Sequence, residues 1–339
     1  MRPDGPLDPA VAETRVAVRR VLDDLPAGAV VVALSGGADS LALAAATAFE
    51  ARTRGVRALS VTVDHALQPG SADIAATAAR QAAGLGLDPI IVRVEVGSGG
   101  GPEAAAREAR FRALAVAARD ASAAAILLGH TLDDLAETVL LGLARGSGTA
   151  SLQGMASHSE LRGIPLVRPL LGLRREAARA ACAAQGLTPW HDPHNDDDRY
   201  TRVRVRRHVL PVLEAELGPG VAEALARTAE QLREDTDAFA EMIDETIEDV
   251  VEHAEAGISV SVAALAANPA ALRHRIIRHV VASEFGTSLS RAHTLEVARL
   301  VTDWSGQGPL DLPGCRARRV GTRIEFTAPL DRLGERGET

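Results

Sequence analysis

Two short segments hold residues whose types and spacing suit chemistry on a phosphate. The first is Ser35-Gly36-Gly37-Ala38-Asp39-Ser40. It follows the apolar run Val30-Val31-Val32-Ala33-Leu34 and leads into an alanine- and leucine-rich stretch. A strand, a glycine turn and a helix start together form an anion site, because backbone N–H groups converge there and the helix dipole favours negative charge. The two glycines let the backbone come close to a phosphate. Ser35 and Ser40 can donate hydroxyl protons. No lysine follows, so this is not the G-x-x-x-x-G-K-[ST] loop. An ordinary strand–turn–helix corner would leave Asp39 without a packing purpose.

The second segment is Gly129-His130-Thr131-Leu132-Asp133-Asp134-Leu135-Ala136-Glu137-Thr138. At about 100° per residue, His130, Asp134 and Glu137 share one helical stripe, with Asp133 on its flank. Thr131 is placed as an N-cap, and acids in a first turn suit the dipole. Capping alone does not account for a histidine with three acids directly after an apolar run. Those carboxylates suit a cation: Mg²⁺ on phosphates or a cationic amine.

All 37 basic residues are arginine, so no catalytic role can fall to a lysine of the chain itself. The net charge of −8 disfavours a nucleic-acid partner at first sight. The distribution says more. Residues 1–213 hold 24 arginines against 23 acids, and residues 214–339 hold 13 against 22. Five arginines crowd into Arg199–Arg207 and four into Arg316–Arg323, and a local patch can bind phosphates on an acidic protein. Cys182 and Cys315 suggest a reducing compartment without a disulfide framework. No apolar run is long enough to span a membrane, and Met1-Arg2-Pro3-Asp4-Gly5 lacks a signal core, so a cytoplasmic location is expected.

Elements must position these segments. A leading amphipathic helix is expected over 11–25, with Val11, Val18, Val21, Leu22 and Leu25 on its apolar face. Strands at 29–34, 57–63, 89–95 and 124–128 then alternate with helices at 39–54, 71–85, 102–120 and 131–145. That rhythm predicts an α/β fold with a parallel sheet, whose ligands sit beyond the carboxyl ends of the strands. Ser35–Ser40, Asp64-His65 and Gly129-His130 should therefore converge. Gly97–Gly101 and Arg145–Thr149 read as loops, 173–186 as a helix, and His208–Leu217 as another. Gly218-Pro219-Gly220 is the expected boundary, giving domains over 1–217 and 221–339. The second domain reads as mainly helical over 221–300, with a short β-hairpin around Gly321.

The pattern S-G-G-x-D-S resembles the pyrophosphate loop of the ATP pyrophosphatases, which cleave ATP between its α and β phosphates and activate a substrate as its adenylate. The wider set of motifs resembles one family within them, the bacterial tRNA(Ile)-lysidine synthases. It comprises V-D-H-A-L at 63–67, E-A-A-A-R-E-A-R-F at 103–111, G-H-T-L-D-D-L-A-E-T at 129–138, R-G-S-G at 145–148, L-Q-G-M at 152–155, R-P-L-L at 168–171 and D-P-H-N-D-D-D-R-Y-T-R-V-R-V-R at 192–206.

The resemblance implies a PP-loop, Rossmann-like catalytic domain and a two-step ligation. ATP adenylates the wobble cytidine, position 34, of the isoleucine tRNA with a CAU anticodon, releasing pyrophosphate. The ε-amine of free L-lysine then attacks C2 and expels AMP, giving lysidine. On this reading Ser35, Gly36, Gly37, Ala38 and Ser40 cradle the pyrophosphate. Asp39 orients Mg²⁺ or the reacting centre, with Asp133 as a further metal candidate, and Asp64 and Gly129 border the nucleotide. Asp134 and Glu137 meet the lysine ammonium, and a carboxylate beside the amine can take its proton. Arg107 and Arg110, three apart on a helix, meet phosphates or the adenylate. His130 orients an acid or bonds a phosphate. Arg199, Tyr200, Arg202, Arg204 and Arg206 face the tRNA, the tyrosine stacking on an unpaired base. Arg316, Arg318, Arg319 and Arg323 are weaker candidates for the same role. Family members are often dimers.

Four positions depart from the pattern: Ala66 stands for a usual glycine, Leu135 for glutamine, His194 for serine or threonine, and Val203 for asparagine. Rival readings are a PP-loop tRNA 2-thiolase, a small-molecule amide ligase, and an ATP-binding module without turnover. The chain has no C-x-x-C pair and no glutaminase cysteine–histidine set, and a binding module would not require Asp39, Asp134 and Glu137 together.

Overall fold

The computed structural model describes residues 7–66, 68–95, 97, 101–146, 148–254 and 257–329. Leu67, Ser147, Ser98–Gly100 and Met1–Gly5, part of the segments quoted above, lie outside the described residues. The chain divides into two compact units, Met1–Leu232 and Arg233–Thr339.

The first unit begins with α1 (Pro9–Asp24), capped by the Asp8 carboxylate, then β1 (Ala29–Ala33), α2 (Ala38–Arg54), β2 (Ala58–Asp64), α3 (Ser71–Leu85), β3 (Asp88–Arg93), α4 (Pro102–Asp120), β4 (Ala123–Leu127) and α5 (Leu132–Ala144). A short α6 (Thr149–Leu152), β5 (His158–Leu161), β6 (Ile164–Val167) and α7 (Arg175–Ala184) follow. The six strands form one sheet in the order β3-β2-β1-β4-β6-β5, parallel except for β5 at the edge. Val30 and Val32 point to one face, where Leu41, Leu43, Ala178 and Cys182 meet α1 residues Val18 and Val21. Val31 points to the other, against Leu114 and Ala118 of α4. Alternation within a strand covered on both faces is what makes the run wholly apolar.

The chain winds outward through β1, β2 and β3 with α2 and α3 on one face, then returns over the other face by α4 to place β4 beside β1. The strand order reverses between β1 and β4, so a crevice opens beyond their carboxyl ends. Both chemical segments leave the sheet there.

The β5–β6 hairpin was not legible in the sequence. Its strands are short, β5 is exposed, and Pro165 interrupts β6. Its two-residue turn, Arg162-Gly163, has positive φ at both positions, which matches the twist of the strands.

After α7 a 3₁₀ turn (Pro193–Asp196) leads to α8 (Thr201–Arg204), a π-helical turn (Val205–Val209) and α9 (Leu210–Leu217). The helix expected from His208 thus begins seven residues earlier, at Thr201. The long α10 (Val221–Val250) contains the division between the units at Leu232.

The second unit holds β7 (Val251–Ala254), β8 (Gly257–Ser261), α11 (Val262–Ala267), α12 (Ala270–Phe285), α13 (Arg291–Thr302), β9 (Leu310–Leu312), β10 (Cys315–Val320) and β11 (Arg323–Thr327). The hairpin around Gly321 is present as β10–β11, but it is two strands of a five-stranded antiparallel sheet ordered β7-β8-β11-β10-β9. The helical pattern expected over 221–300 is broken at β7 and β8. In β8 Ile258 and Val260 alternate with serines, a period of two lasting only five residues. Ile276, Ile277, Val280 and Val281 pack on Ile324 and Phe326 in its core.

Candidate active site

The first turn of α2 and the end of β4 touch. A Cβ on Gly129 would lie 3.1 Å from both the Asp39 carbonyl oxygen and the Ser40 Cα. Glycine at that position is what lets the two loops close. Gly36 takes a left-handed conformation, φ +84°, and its carbonyl accepts the Trp190 N–H at 2.9 Å. Within the loop the Ser40 hydroxyl donates to the Gly37 carbonyl at 2.9 Å and accepts from the Ser35 N–H and hydroxyl at 3.2 and 3.1 Å. The serines therefore shape the turn as well as offering oxygens to it.

On α5, Asp134 is the third helical residue, and its Oδ2 accepts both the N–H and the hydroxyl of Thr131 at 2.9 Å. That reciprocal cap fixes its carboxylate in place. Arg175, at the start of α7, gathers the acids. It lies 2.7 Å from Asp134, 3.0 Å from Glu137 and 3.6 Å from Asp39. Arg206 Nε lies 2.8 Å from Glu137. Arg202 donates to Thr138 Oγ1 at 2.7 Å. Asp39, distant in the sequence from Asp134 and Glu137, joins them in one group around Arg175.

Burial raises the Asp39 carboxyl to about 6. Arg175 opposes that shift, Asp134 adds to it, and Arg179 and Arg206 pull it back. For Asp134, burial also opposes ionisation, but Arg175 and the Thr131 donors outweigh it and hold the group below the usual carboxylate range. The two acids are thus pushed apart. Asp39 Oδ1 is buried without a hydrogen-bond partner, so it has lone pairs to offer a cation. Asp133 is differently engaged: its carboxylate accepts the Arg175 N–H at 2.7 Å and pairs with Arg174 at 3.2 Å. Among the described residues, no group of three or more His, Cys, Asp or Glu is arranged to hold a metal by itself.

His130 is driven down to about 4, by burial first and then by Arg168, Arg110 and Arg107, with Asp134 opposing. Its imidazole is neutral at pH 7, and its Nδ1 is buried without a partner. Arg107 and Arg110 lie over the Phe111 ring at 4.7 and 5.2 Å. Asp64, the last residue of β2, accepts the Ala66 N–H at 2.9 Å and is held ionised by Ser71 and that N–H.

The late basic segment divides. Arg202 and Arg206 turn toward α5. Arg199 pairs with Asp197, Arg204 donates to the Asp198 and Arg199 carbonyls, and Arg207 meets Asp196. Tyr200 is partly exposed, its ring edge-on to His194 at 5.8 Å. Val203 and Leu135 are buried, so an apolar side chain suits each site. His194 Nδ1 bonds Gln68 at 2.6 Å. Arg175 was missed in the sequence: it lies in R-R-E at a helix start, and nothing local distinguishes it from Arg174.

In the second unit, Arg316, Arg318 and Arg323 pair with Asp311, Glu325 and Glu252, and Arg319 donates to the Leu300 carbonyl. A different basic group lies on α12 and α13. Burial and then Arg273, Arg278 and Arg291 lower His274, and burial, Arg275 and Arg291 lower Arg278. Among the described residues, no acid is among the charges acting on either.

Residues 11–213 match a family model described as a PP-loop domain, and residues 261–324 one described as the TilS substrate binding domain. The chain is 61% identical over 303 residues to the tRNA(Ile)-lysidine synthase of Leifsonia xyli subsp. xyli, covering 89% of this chain and 90% of the relative. It is 50% identical over 315 residues to that of Thermobifida fusca, covering 92% and 95%. A solved structure, the U34-tRNA thiolase NcsA from Methanococcus maripaludis with its [4Fe-4S] cluster, superposes with a TM-score of 0.56 at 20% identity. The match covers 66% of this chain and 79% of that one, a likeness of fold alone.

Proposed function

The chain belongs to the tRNA(Ile)-lysidine synthase family, and on that premise we propose how its residues carry the ligation of lysine to the CAU-anticodon isoleucine tRNA. The observation that carries the reading is the gathering of Asp39, Asp134 and Glu137 around Arg175, beside the glycine turn at the start of α2.

The N–H groups of Gly36, Gly37 and Ala38, with Ser35 and Ser40, hold the β and γ phosphates of ATP at the positive end of α2. Asp64 and Gly129 border the adenosine. Asp39 has the spare oxygen that Mg²⁺ needs, whereas the Asp133 carboxylate is engaged by α7. A Mg²⁺ held by Asp39 would supply neutralisation of the phosphate charge. The C2 oxygen of the wobble cytidine attacks the α-phosphorus, and Arg107 and the neutral His130 donate to the phosphoryl oxygens. The lysine ammonium docks on Asp134 and Glu137. One carboxylate accepts its proton, the free amine attacks C2, and AMP departs with the former C2 oxygen.

Arg199, Tyr200 and Arg202, with the Arg273–Arg278 and Arg291 group of the second unit, meet the tRNA by charge and stacking. The same reading includes a cytoplasmic location and a homodimer. No helix among the described residues is long and apolar enough to cross a membrane. Sulfur transfer is disfavoured because burial raises both thiols, Cys315 to about 11, so neither is a ready thiolate.

Pyrophosphate release from ATP, measured with CAU-anticodon tRNA and with lysine present or omitted, tests the reading. Release that needs the tRNA, with AMP formed only when lysine is added, is expected. Release without RNA would mean a small-molecule ligase, and ATP binding with no release would mean a binding module.

A further inference from the structure

Glu137 is wholly buried, and its carboxylate is already engaged. Arg206 approaches side-on, Nε 2.8 Å from Oε1 and Nη2 3.1 Å from Oε2, and the same Nη2 lies 3.3 Å from Asp134 Oδ1. Arg175 shares two of those oxygens, its Nη1 3.0 Å from Glu137 Oε1 and its Nη2 2.7 Å from Asp134 Oδ1. Arg202 Nε lies 3.7 Å from Glu137 Oε2 and Asp39 lies 3.6 Å from Arg175, so three carboxylates face three guanidiniums, and an incoming ammonium would find the charge already matched.

The two arginines differ in what holds them. Arg175 has a tenth of its side chain exposed, also pairs with Asp39, and its N–H is anchored by Asp133 at 2.7 Å. Arg206 is a quarter exposed and bonds only Asp134 and Glu137 among the described residues. It lies in the π-helical turn Val205–Val209, a wider winding that appears mostly as a single irregular turn near functional sites. Exposed Arg199 and Arg204 stand on the same segment.

We propose that Arg206 is a tethered occupant of the amine subsite, and that an RNA phosphate draws its guanidinium out and so opens Asp134 and Glu137 to free lysine. This rests on the amine-subsite reading above. A guanidinium bonds phosphate as a bidentate fork just as it bonds a carboxylate, so the exchange keeps its hydrogen bonds. Once it leaves, Asp39, Asp134 and Glu137 keep Arg175 and Arg202 and have one negative charge in excess. A buried uncompensated charge is costly, and an ammonium matches it. Binding becomes ordered: the amine enters after the RNA, and by linkage lysine tightens RNA binding by the same factor.

The full chain is titrated calorimetrically with L-lysine, with and without a CAU-anticodon transcript. The native protein is expected to bind lysine at least about tenfold more tightly with the transcript. Arg206→Gln is expected to reach that affinity without RNA and to lose the dependence on it. Arg57→Gln, a remote surface change, should behave as the native chain. Equal lysine affinity of the native chain and Arg206→Gln in the absence of RNA overturns the proposal. So does a native affinity that the transcript leaves unchanged, a measurement that stands even if Arg206→Gln does not fold. Glu137→Gln separates the two readings. If it leaves lysine binding untouched, the amine subsite is wrong; if it abolishes binding while Arg206→Gln behaves as native, only the gate is wrong.

Discussion

Gly129 and Ser40 are in backbone contact: a methyl group on Gly129 would sit 3.1 Å from the Ser40 Cα and equally close to the Asp39 carbonyl oxygen. Neither neighbour is a flexible side-chain end, so Gly129→Ala must push the first turn of α2 away from β4. The KM for ATP is expected to rise on the order of tenfold, since small misplacements of a positioning loop are expensive. Gly84→Ala on α3, where nothing lies within 4 Å, is the control. Identical ATP kinetics for the two variants would show that this contact does not position the loop.

Asp39→Asn should make the metal-free protein more stable while abolishing pyrophosphate release. Burial raises the Asp39 pKa from 3.8 to about 6. A folded pKa above the unfolded one favours the fold fully below the lower value, and the benefit is lost as pH rises through the higher one. At neutral pH the native carboxylate is ionised at a cost on the order of 2 kcal/mol, which asparagine removes. Chemical denaturation at pH 7.5 with chelator present measures it, and a destabilised variant would contradict the account.

Glu50 has the opposite sign. It is 1% exposed and bridges Arg19 at 3.0 Å and Arg54 at 2.7 Å. Burial alone would raise its pKa, but the two guanidiniums win and hold it below the usual range. Its contribution is present above the unfolded pKa and lost as pH falls through the folded one. Glu50→Gln should cost about 1–3 kcal/mol at pH 7, less than a fully buried pair because Arg19 is half exposed. Its stability should also fall less steeply below about pH 5. Parallel acid limbs for the two proteins would refute this.

Ala66 occupies a left-handed conformation, φ +52°, where the resembling family usually has glycine. Ala66→Gly should gain roughly 0.5–1 kcal/mol, the left-handed penalty of a Cβ less the added entropy of glycine in the unfolded chain. A shift of the urea midpoint at constant slope reads the gain, and an unchanged midpoint would leave the strain unproven.

Arg278→Gln combined with Arg291→Gln should weaken binding of the CAU-anticodon tRNA. It should also flatten the dependence of log K on log salt by about 0.7–0.9 for each phosphate no longer neutralised. Binding curves at several salt concentrations check this. A weakened affinity with an unchanged slope would point to misfolding of the second unit instead.

Much of the first unit was legible because its signals are local. Three valines in a row, a glycine turn and an alanine-rich helix repeat the βα rhythm, and the ends of α3 and α4 fall where the periodicity puts them. The β5–β6 hairpin and the β7–β8 pair were not legible, because strands of four or five residues carry too few turns of alternation to stand out. Each hairpin is anchored by a strand distant in the chain, β6 by β4 and β8 by β11.

The amino-acid order alone determined which groups could do chemistry here: a lysine-free Ser-Gly-Gly-Ala-Asp-Ser corner and a helix start bearing Asp134 and, one turn on, Glu137. Local spacing suffices for that, because a cap or a glycine turn involves residues within one turn of each other. Which arginines close on those acids was decided only by the tertiary structure. Arg175 and Arg206 reach Glu137 from 38 and 69 residues away, through the sheet order and the helical segment after α7. No periodicity records a contact of that range, since it depends on how whole elements pack and not on what stands beside a residue in the chain.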